Sequence, residues 1–157
     1  MLSSQSIRKR VRAGTLHIVP FETRGVCDGR SYGLSSASYD VRLAQDVWLW
    51  PFFGRLASIE EYIAMPSDLA AEVKDKSSNA RRFVLVQNTF IDPGWRGYLT
   101  VELTRFLPWP VLLRRGTPIA QLVFHQLDEP TENPYHGKYQ DQEYGAQKAR
   151  FERDPVV

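Results

Sequence analysis

The chain has 157 residues, 43% hydrophobic and 24% charged, with a formal net charge of +2. That is the size and balance of one globular domain with its own core. No apolar run is long enough to cross a bilayer, one cysteine (Cys27) excludes an internal disulfide and a multi-cysteine zinc site, and so small a net charge is weak support for nucleic-acid binding.

The N-terminus, MLSSQSIRKRVRAG, is basic but is not followed by a secretory apolar region and cleavage site, so a cytoplasmic protein is expected. Ser4 to Arg12 reads as a short helix, with Ser4 or Ser6 as cap and Gly14 as stop. Ile7 and Val11 are four apart, which makes the basic residues Arg8 to Arg12 its solvated face. Thr15 to Val19 is a short strand ended by Pro20. Cys27 reads as a loop or packing residue, and Asp28 to Ala37 (DGRSYGLSSA) as a turn-rich segment. Ser38 to Leu43 alternates, with Tyr39, Val41 and Leu43 on one face and Asp40 and Arg42 on the other. Val47 to Phe53 is aromatic and broken by Pro51.

Leu56 to Met65 reads as a strand ended by Pro66. Ser67 to Val73 carries a helix-start signature, with Ser67 as cap and Asp68 in the first turn. Phe83 to Val86 is continuously apolar, as a strand buried on both faces would be. Asp92-Pro93-Gly94-Trp95 is a tight turn. Gly97 to Leu103 alternates again: Leu99, Val101 and Leu103 point one way, Tyr98, Thr100 and Glu102 the other. Gly116-Thr117-Pro118 turns into a last strand, Ile119 to Leu127. Many short strands between Pro/Gly turns predict a mostly antiparallel β-barrel or sandwich. From about Glu129 the chain turns polar and cannot build a core, so it is ordered only by lying on another surface or a ligand.

Ser77 and Arg81 are four apart and face one point if they share a helical turn; Lys76 and Ser78 beside them suit a phosphate. On spacing alone this is first a solvated polar turn. Glu102 taken alone is an exposed strand glutamate. It gains interest if the strands from Phe83 and from Gly97 form a hairpin that brings it near Arg81, where a carboxylate and a guanidinium could hold a water and move its proton. Asp92 and Trp95 are either turn and packing residues or partners of a sugar. The histidines (His17, His125, His136) have no metal-binding spacing, and no zinc-deaminase, P-loop, dinucleotide or nucleophile-elbow motif occurs.

Six segments in order carry a resemblance: IRKRVRAGTLHIVPF, GLSSASYDVRL, LASIEEYIAMPSDLAAEVKDKSSNAR, NTFIDPGWRGYLTVEL, GTPIAQLVFHQL and PYHGKYQDQ. Together they resemble the dCTP deaminases of the trimeric dUTPase-like superfamily. The resemblance implies a distorted antiparallel β-barrel of the dUTPase-like (β-clip) type with short peripheral helices. Residues 1–128 would form the barrel domain and 129–157 a tail closing over the nucleotide. It implies a homotrimer with active sites shared between subunits, zinc-independent conversion of dCTP to dUTP and ammonia in dTTP supply, Mg²⁺ carried by the triphosphate, dTTP as inhibitor, and neither nucleic acid nor membrane as partner.

Carried over residue by residue, the resemblance makes Glu102 the general acid/base. Ser77 and Arg81 would orient the water and stabilise charge at C4. Lys76, Ser78, Gln121, Lys138 and Gln142 fall at the triphosphate, and Tyr135 in the segment covering the nucleotide. Asp92 and Trp95 fall at the deoxyribose, where the ring leaves no room for a 2′-hydroxyl. Gln87 and Asn88 stand near C4, where many members have Thr and Ala. Lys76 replaces a usual arginine and Phe83 a usual glycine. Two further readings stay open: a bifunctional enzyme continuing to dUMP and pyrophosphate, and a non-catalytic nucleotide-binding regulator. The glycine-rich C-terminal motif of pure dUTPases is absent, with KYQDQ in its place.

Overall fold

The computed structural model describes residues 1–151, so the last six residues expected in the tail lie outside the described residues. The fold is mostly β, in distorted, separate ladders. One helix, α1 (Ser4–Arg12), precedes β1 (His17–Val19), β2 (Gly25–Cys27), β3 (Arg30–Leu34), β4 (Tyr39–Arg42), β5 (Val47–Leu49), β6 (Arg55–Ala64) and β7 (Leu69–Asp75). A one-turn helix α2 (Ser77–Ala80) leads to β8 (Val84–Val86), β9 (Phe90–Ile91), β10 (Arg96–Arg105), β11 (Val111–Leu113) and β12 (Pro118–Gln126).

A six-stranded sheet runs β2-β3-β4-β12-β7-β9 and a four-stranded sheet β1-β6-β10-β8, with β11-β5 as a separate pair. The strand pairs are antiparallel, and a single Leu43–Ile59 bridge ties β4's end to β6. Tyr39, Val41, Leu43, Ile59, Ile63, Leu99, Val101, Leu103, Leu122 and Phe124 fill one core. Helix α1 adds Ile7 to it, while Arg10 on its polar side donates to Asp68 at 2.7 Å. Among the described residues no helix is long and apolar enough to cross a membrane.

Three segments depart from the sequence reading. Phe83 to Val86 is not buried on both faces: β8 is an edge strand, Phe83 before it is 52% exposed and Leu85 half-buried. Ser67 to Val73 does not begin a helix: Leu69–Asp75 is strand β7, held between β12 and β9. The cap-like residues serve other partners. Asp68 accepts from Arg10 and Gln126, and the Ser67 carbonyl accepts from Thr131 N–H. Burial of Leu69, Ala71 and Val73 in a central strand outweighs the weak helix preference of a short Ala-Glu stretch. Asp28 to Ala37 is likewise not all turn. Asp28 and Gly29 take positive φ (49° and 71°) and form the tight reversal between β2 and β3, the Asp-Gly hairpin signal.

An ion pair with a fully buried carboxylate joins the two sheets. Glu61 on β6 is 0% exposed and accepts from Arg42 N–H at 2.9 Å and from Arg42 Nε at 2.7 Å. Arg42 also lies 4.4 Å from the centroid of the Tyr32 ring. Removing one partner would strand a buried guanidinium. Glu61→Ala is therefore expected to destabilise the protein by about 3–5 kcal/mol, read as a lowered urea midpoint, whereas a surface substitution such as Glu129→Ala shifts it little.

Candidate active site

Strand β10 builds the site. Its burial alternates along ten residues: Gly97, Leu99, Val101, Leu103 and Arg105 are buried, and Tyr98, Thr100, Glu102 and Thr104 are partly exposed on the opposite face. The turn before it is as the sequence predicts. Trp95 N–H donates to the Asp92 carbonyl at 3.2 Å, and Gly94 takes φ 82°, which a type II turn requires of its third residue. A Cβ on Gly94 would come 2.6 Å from Pro134 Cβ, so the glycine also admits the tail.

A cavity of about 410 Å³ opens beside β10. Glu102, Thr100 and Leu99 form its floor, and Asp92, Trp95 and Phe90 one wall. Tyr135, Tyr139, Gln142 and Gln147 of the tail close the other. The sequence-predicted residues Glu102, Asp92, Trp95, Tyr135 and Gln142 thus meet in one place. Trp95 is 5% exposed, and its Nε1 donates to the Tyr139 carbonyl at 2.8 Å, fixing the ring. Glu102 Oε2 is buried without a hydrogen-bond partner. Burial pushes the Glu102 carboxyl above the ordinary glutamate range.

The tail lies on β10. The Gln142 carbonyl accepts from Tyr98 N–H at 2.9 Å and its Nε2 donates to Thr100 Oγ1 at 2.5 Å. Asp141 pairs with Arg96 at 2.5 Å, and Gln140 Nε2 donates to the Gly94 carbonyl at 2.9 Å. Gly97 permits this approach: at φ 146°, a Cβ there would meet Gln142 N at 2.6 Å. Sequence reasoning anticipated that the tail needs a surface to lie on. It missed Thr100, Tyr139, Phe90 and Gln147, although Thr100 was legible as Glu102's neighbour on the polar face.

The remaining predicted residues stand apart from this cavity. Ser77 is exposed at the start of α2 and Arg81 is exposed at its C-cap. The β10–β8 hairpin forms, but its register sets Leu103 opposite Val86 and Arg105 opposite Val84. Glu102 therefore lies beside Gln87, whose N–H donates to the Glu102 carbonyl at 3.0 Å, and Arg81 falls beyond the far end of the pairing. The expected approach of Arg81 to Glu102 within one chain does not occur.

Lys76 is 7% exposed, with its ammonium donating to Asp40 Oδ2 at 2.5 Å. Its charge is paired with that of Asp40 inside the fold. Ser78 Oγ is buried without a partner. Gln121 lies on β12 between Asp40 and Lys74, and Asn88 is exposed in the loop before β9. Lys138 is exposed, its ammonium 5.6 Å from the centroid of the Tyr139 ring. Phe83, where a glycine is usual in the resembled family, takes φ 55° and is 52% exposed. The backbone there is of the kind glycine adopts without strain. Among the described residues no three His, Cys, Asp or Glu side chains are grouped so as to hold a metal.

Residues 51–127 match the family model of dCTP deaminase-like proteins. A dCTP deaminase of Acidianus ambivalens is 38% identical over 105 residues, covering 67% of this chain and 60% of that protein. The chain spans between 54% and 60% of the length of the first curated relatives it matches. The match to the dUMP-forming dCTP deaminase of Aquifex aeolicus is 30% identical over 182 aligned positions and covers 98% of this chain and 96% of the relative. Among solved structures, the 2′-deoxycytidine 5′-triphosphate deaminase of Agrobacterium tumefaciens superposes with a TM-score of 0.64 at 18% identity, over 80% of this chain and 47% of that one. The EIAV dUTPase gives 0.57 at 20% identity, over 78% and 98%. The structural likenesses show a dUTPase-like fold, and the near end-to-end sequence match shows that the chain belongs to the dCTP deaminase family.

Proposed function

We propose that the protein is a cytoplasmic, zinc-independent dCTP deaminase: dCTP and water give dUTP and ammonia. The observation that carries this is Glu102, a carboxylate with one buried, unpartnered oxygen in a cavity, raised above the ordinary carboxyl range by burial alone. Such a group binds a proton more readily than an ordinary glutamate and has an oxygen free to exchange it with a ligand.

In the mechanism, water attacks C4 of the cytosine while Glu102 takes its proton. Glu102 passes that proton to N3, then takes the proton of the new C4 hydroxyl and hands it to the amine, so that the C4–N bond breaks, ammonia leaves and the C4 carbonyl forms; one carboxyl serves addition and elimination. A positioned proton shuttle of this kind contributes about 10²–10⁴-fold in rate. Asp92 would accept from the sugar hydroxyl and Trp95 would stack on the deoxyribose, while Tyr135 and the tail exclude water. Mg²⁺ would enter on the triphosphate oxygens as part of the substrate. That suits a chain whose described residues group no set of metal ligands of their own.

Ser77 and Arg81 would reach Glu102 from a neighbouring copy in a homotrimer. Two features support this. Both residues are exposed and out of reach of their own Glu102 by the β8–β10 register. Trp48, Trp50, Phe52, Phe53, Phe83, Phe106 and Trp109 are all at least half exposed, an amount of bare aromatic surface that marks an interface. Ser78, Gln121 and Lys138 would hold the phosphates. Asn88 would sit near C4, and dTTP would compete for the same cavity. The second reading, release of dUMP and pyrophosphate, is favoured by the full-length similarity to the dUMP-forming relative.

Purified protein incubated with dCTP and Mg²⁺ is expected to accumulate dUTP on chromatography. Direct appearance of dUMP would establish the second reading. Loss of no dCTP with nucleotide still bound would overturn both in favour of a regulator. Glu102→Gln is expected to lower turnover at least 10²-fold while dCTP still binds. Because the folded carboxyl titrates above its unfolded value, its ionised form weakens the fold at neutral pH, so E102Q should melt no lower than the wild type. The acid limb of kcat should lie above the ordinary glutamate range of about 4.3, activity falling as pH drops through that raised value. Mixing and refolding E102Q with Arg81→Ala, each inactive alone, should recover activity if the site is shared between copies.

A further inference from the structure

The Thr100 hydroxyl takes two donors from the tail: Gln142 Nε2 at 2.5 Å and Gln147 N–H at 3.0 Å. Thr100 lies two residues before Glu102 on the same face of β10, and both line the cavity. A threonine hydroxyl has two acceptor lone pairs and one proton. With both lone pairs engaged by the tail, the proton is the one hydrogen-bonding function left, and among the described residues nothing accepts it.

Trp95 also meets both tail and cavity, but through different atoms: its Nε1 donates to the Tyr139 carbonyl while its ring lines the cavity. Asp141 and Arg96 form an exposed ion pair, readily screened by salt. Tyr144 Oη reaches Glu60 Oε2 and the Ala44 carbonyl, outside the cavity. Gln142 is 6% exposed with its side-chain amide turned to Thr100. In this arrangement it is a fastener of the tail rather than an open phosphate ligand.

We infer that Thr100 is a positioning residue that couples closure of the tail to occupancy of the cavity. It holds Gln142 and Gln147 through its lone pairs and offers its proton to an acceptor oxygen or nitrogen on the bound nucleoside. Donating that proton makes the hydroxyl oxygen a stronger acceptor, because hydrogen bonds in a chain polarise one another. A bound ligand therefore tightens the tail through the same atom. The ligand's identity rests on the deaminase reading above; the tail contacts do not.

The test is hydrogen–deuterium exchange at the amides of residues 139–148, with and without dCTP and Mg²⁺, beside steady-state kinetics, for wild type, Thr100→Val and Thr100→Ser. The Gln147 N–H is itself one of the donors, so its exchange reads the contact directly. T100V, nearly isosteric but with no acceptor, is expected to speed Gln147 exchange, to lose the slowing that dCTP causes in the wild type, and to raise KM about tenfold with a smaller change in kcat. T100S is expected to restore all three. Wild-type exchange and KM in T100V would overturn the inference, as would T100S behaving like T100V, which would mean that the methyl group matters and not the hydroxyl. If T100V does not fold, Gln142→Leu removes a donor from the other side and carries the same readouts. If the wild type fails to turn over dCTP, the deaminase reading falls while the ligand-free exchange still decides the tail contact.

Discussion

The two-residue repeat of β10 governs everything around it. Ten residues alternate without a break, so burying Leu99, Val101 and Leu103 leaves Thr100 and Glu102 no choice of face. The same strand pairs with β6 on one side and β8 on the other, which makes the floor of the cavity as rigid as the core beneath it. The tail then adds itself to the end of this strand at Gly97 and Tyr98. A slip of one residue would bury the carboxylate and turn the leucines to water. Core packing and the placement of Glu102 are therefore one constraint, not two.

Charge is distributed unevenly over this framework. Lys76 and Asp40 neutralise each other inside the six-stranded sheet, and Arg42 and Glu61 do so between the sheets. Glu102 has no such partner. Paired ions hold the scaffold, while burial leaves the Glu102 carboxyl in the cavity with a raised proton affinity. The guanidinium of Arg81, by contrast, stands exposed on the surface.

Much of this was legible in the chain. The period-two patterns of β4 and β10, the Asp-Pro-Gly turn and the cap-and-stop of α1 are local signals, and local physics sets them. The helix expected from Ser67 failed because β7's identity is decided by its neighbours β12 and β9, which lie far away in sequence. The hairpin of β8 and β10 was anticipated, but its register was not, and register decides which side chains meet. Lys76 could be seen as a cation beside two serines. That its ammonium turns inward to Asp40 depends on a partner 36 residues earlier. The grouping of Glu102, Asp92, Trp95, Tyr135 and Gln142 followed from motif order; the part of Thr100 required atoms.

The tail is docked on β10 by backbone bonds at Gly97 and Tyr98 and by the indole of Trp95. These bonds are made within the chain, so ordering of the tail draws on contacts that a ligand does not have to provide. Tyr135, Tyr139, Gln142 and Gln147 are thereby both lining of the cavity and part of the strap, so loosening the strap changes the shape of the cavity itself.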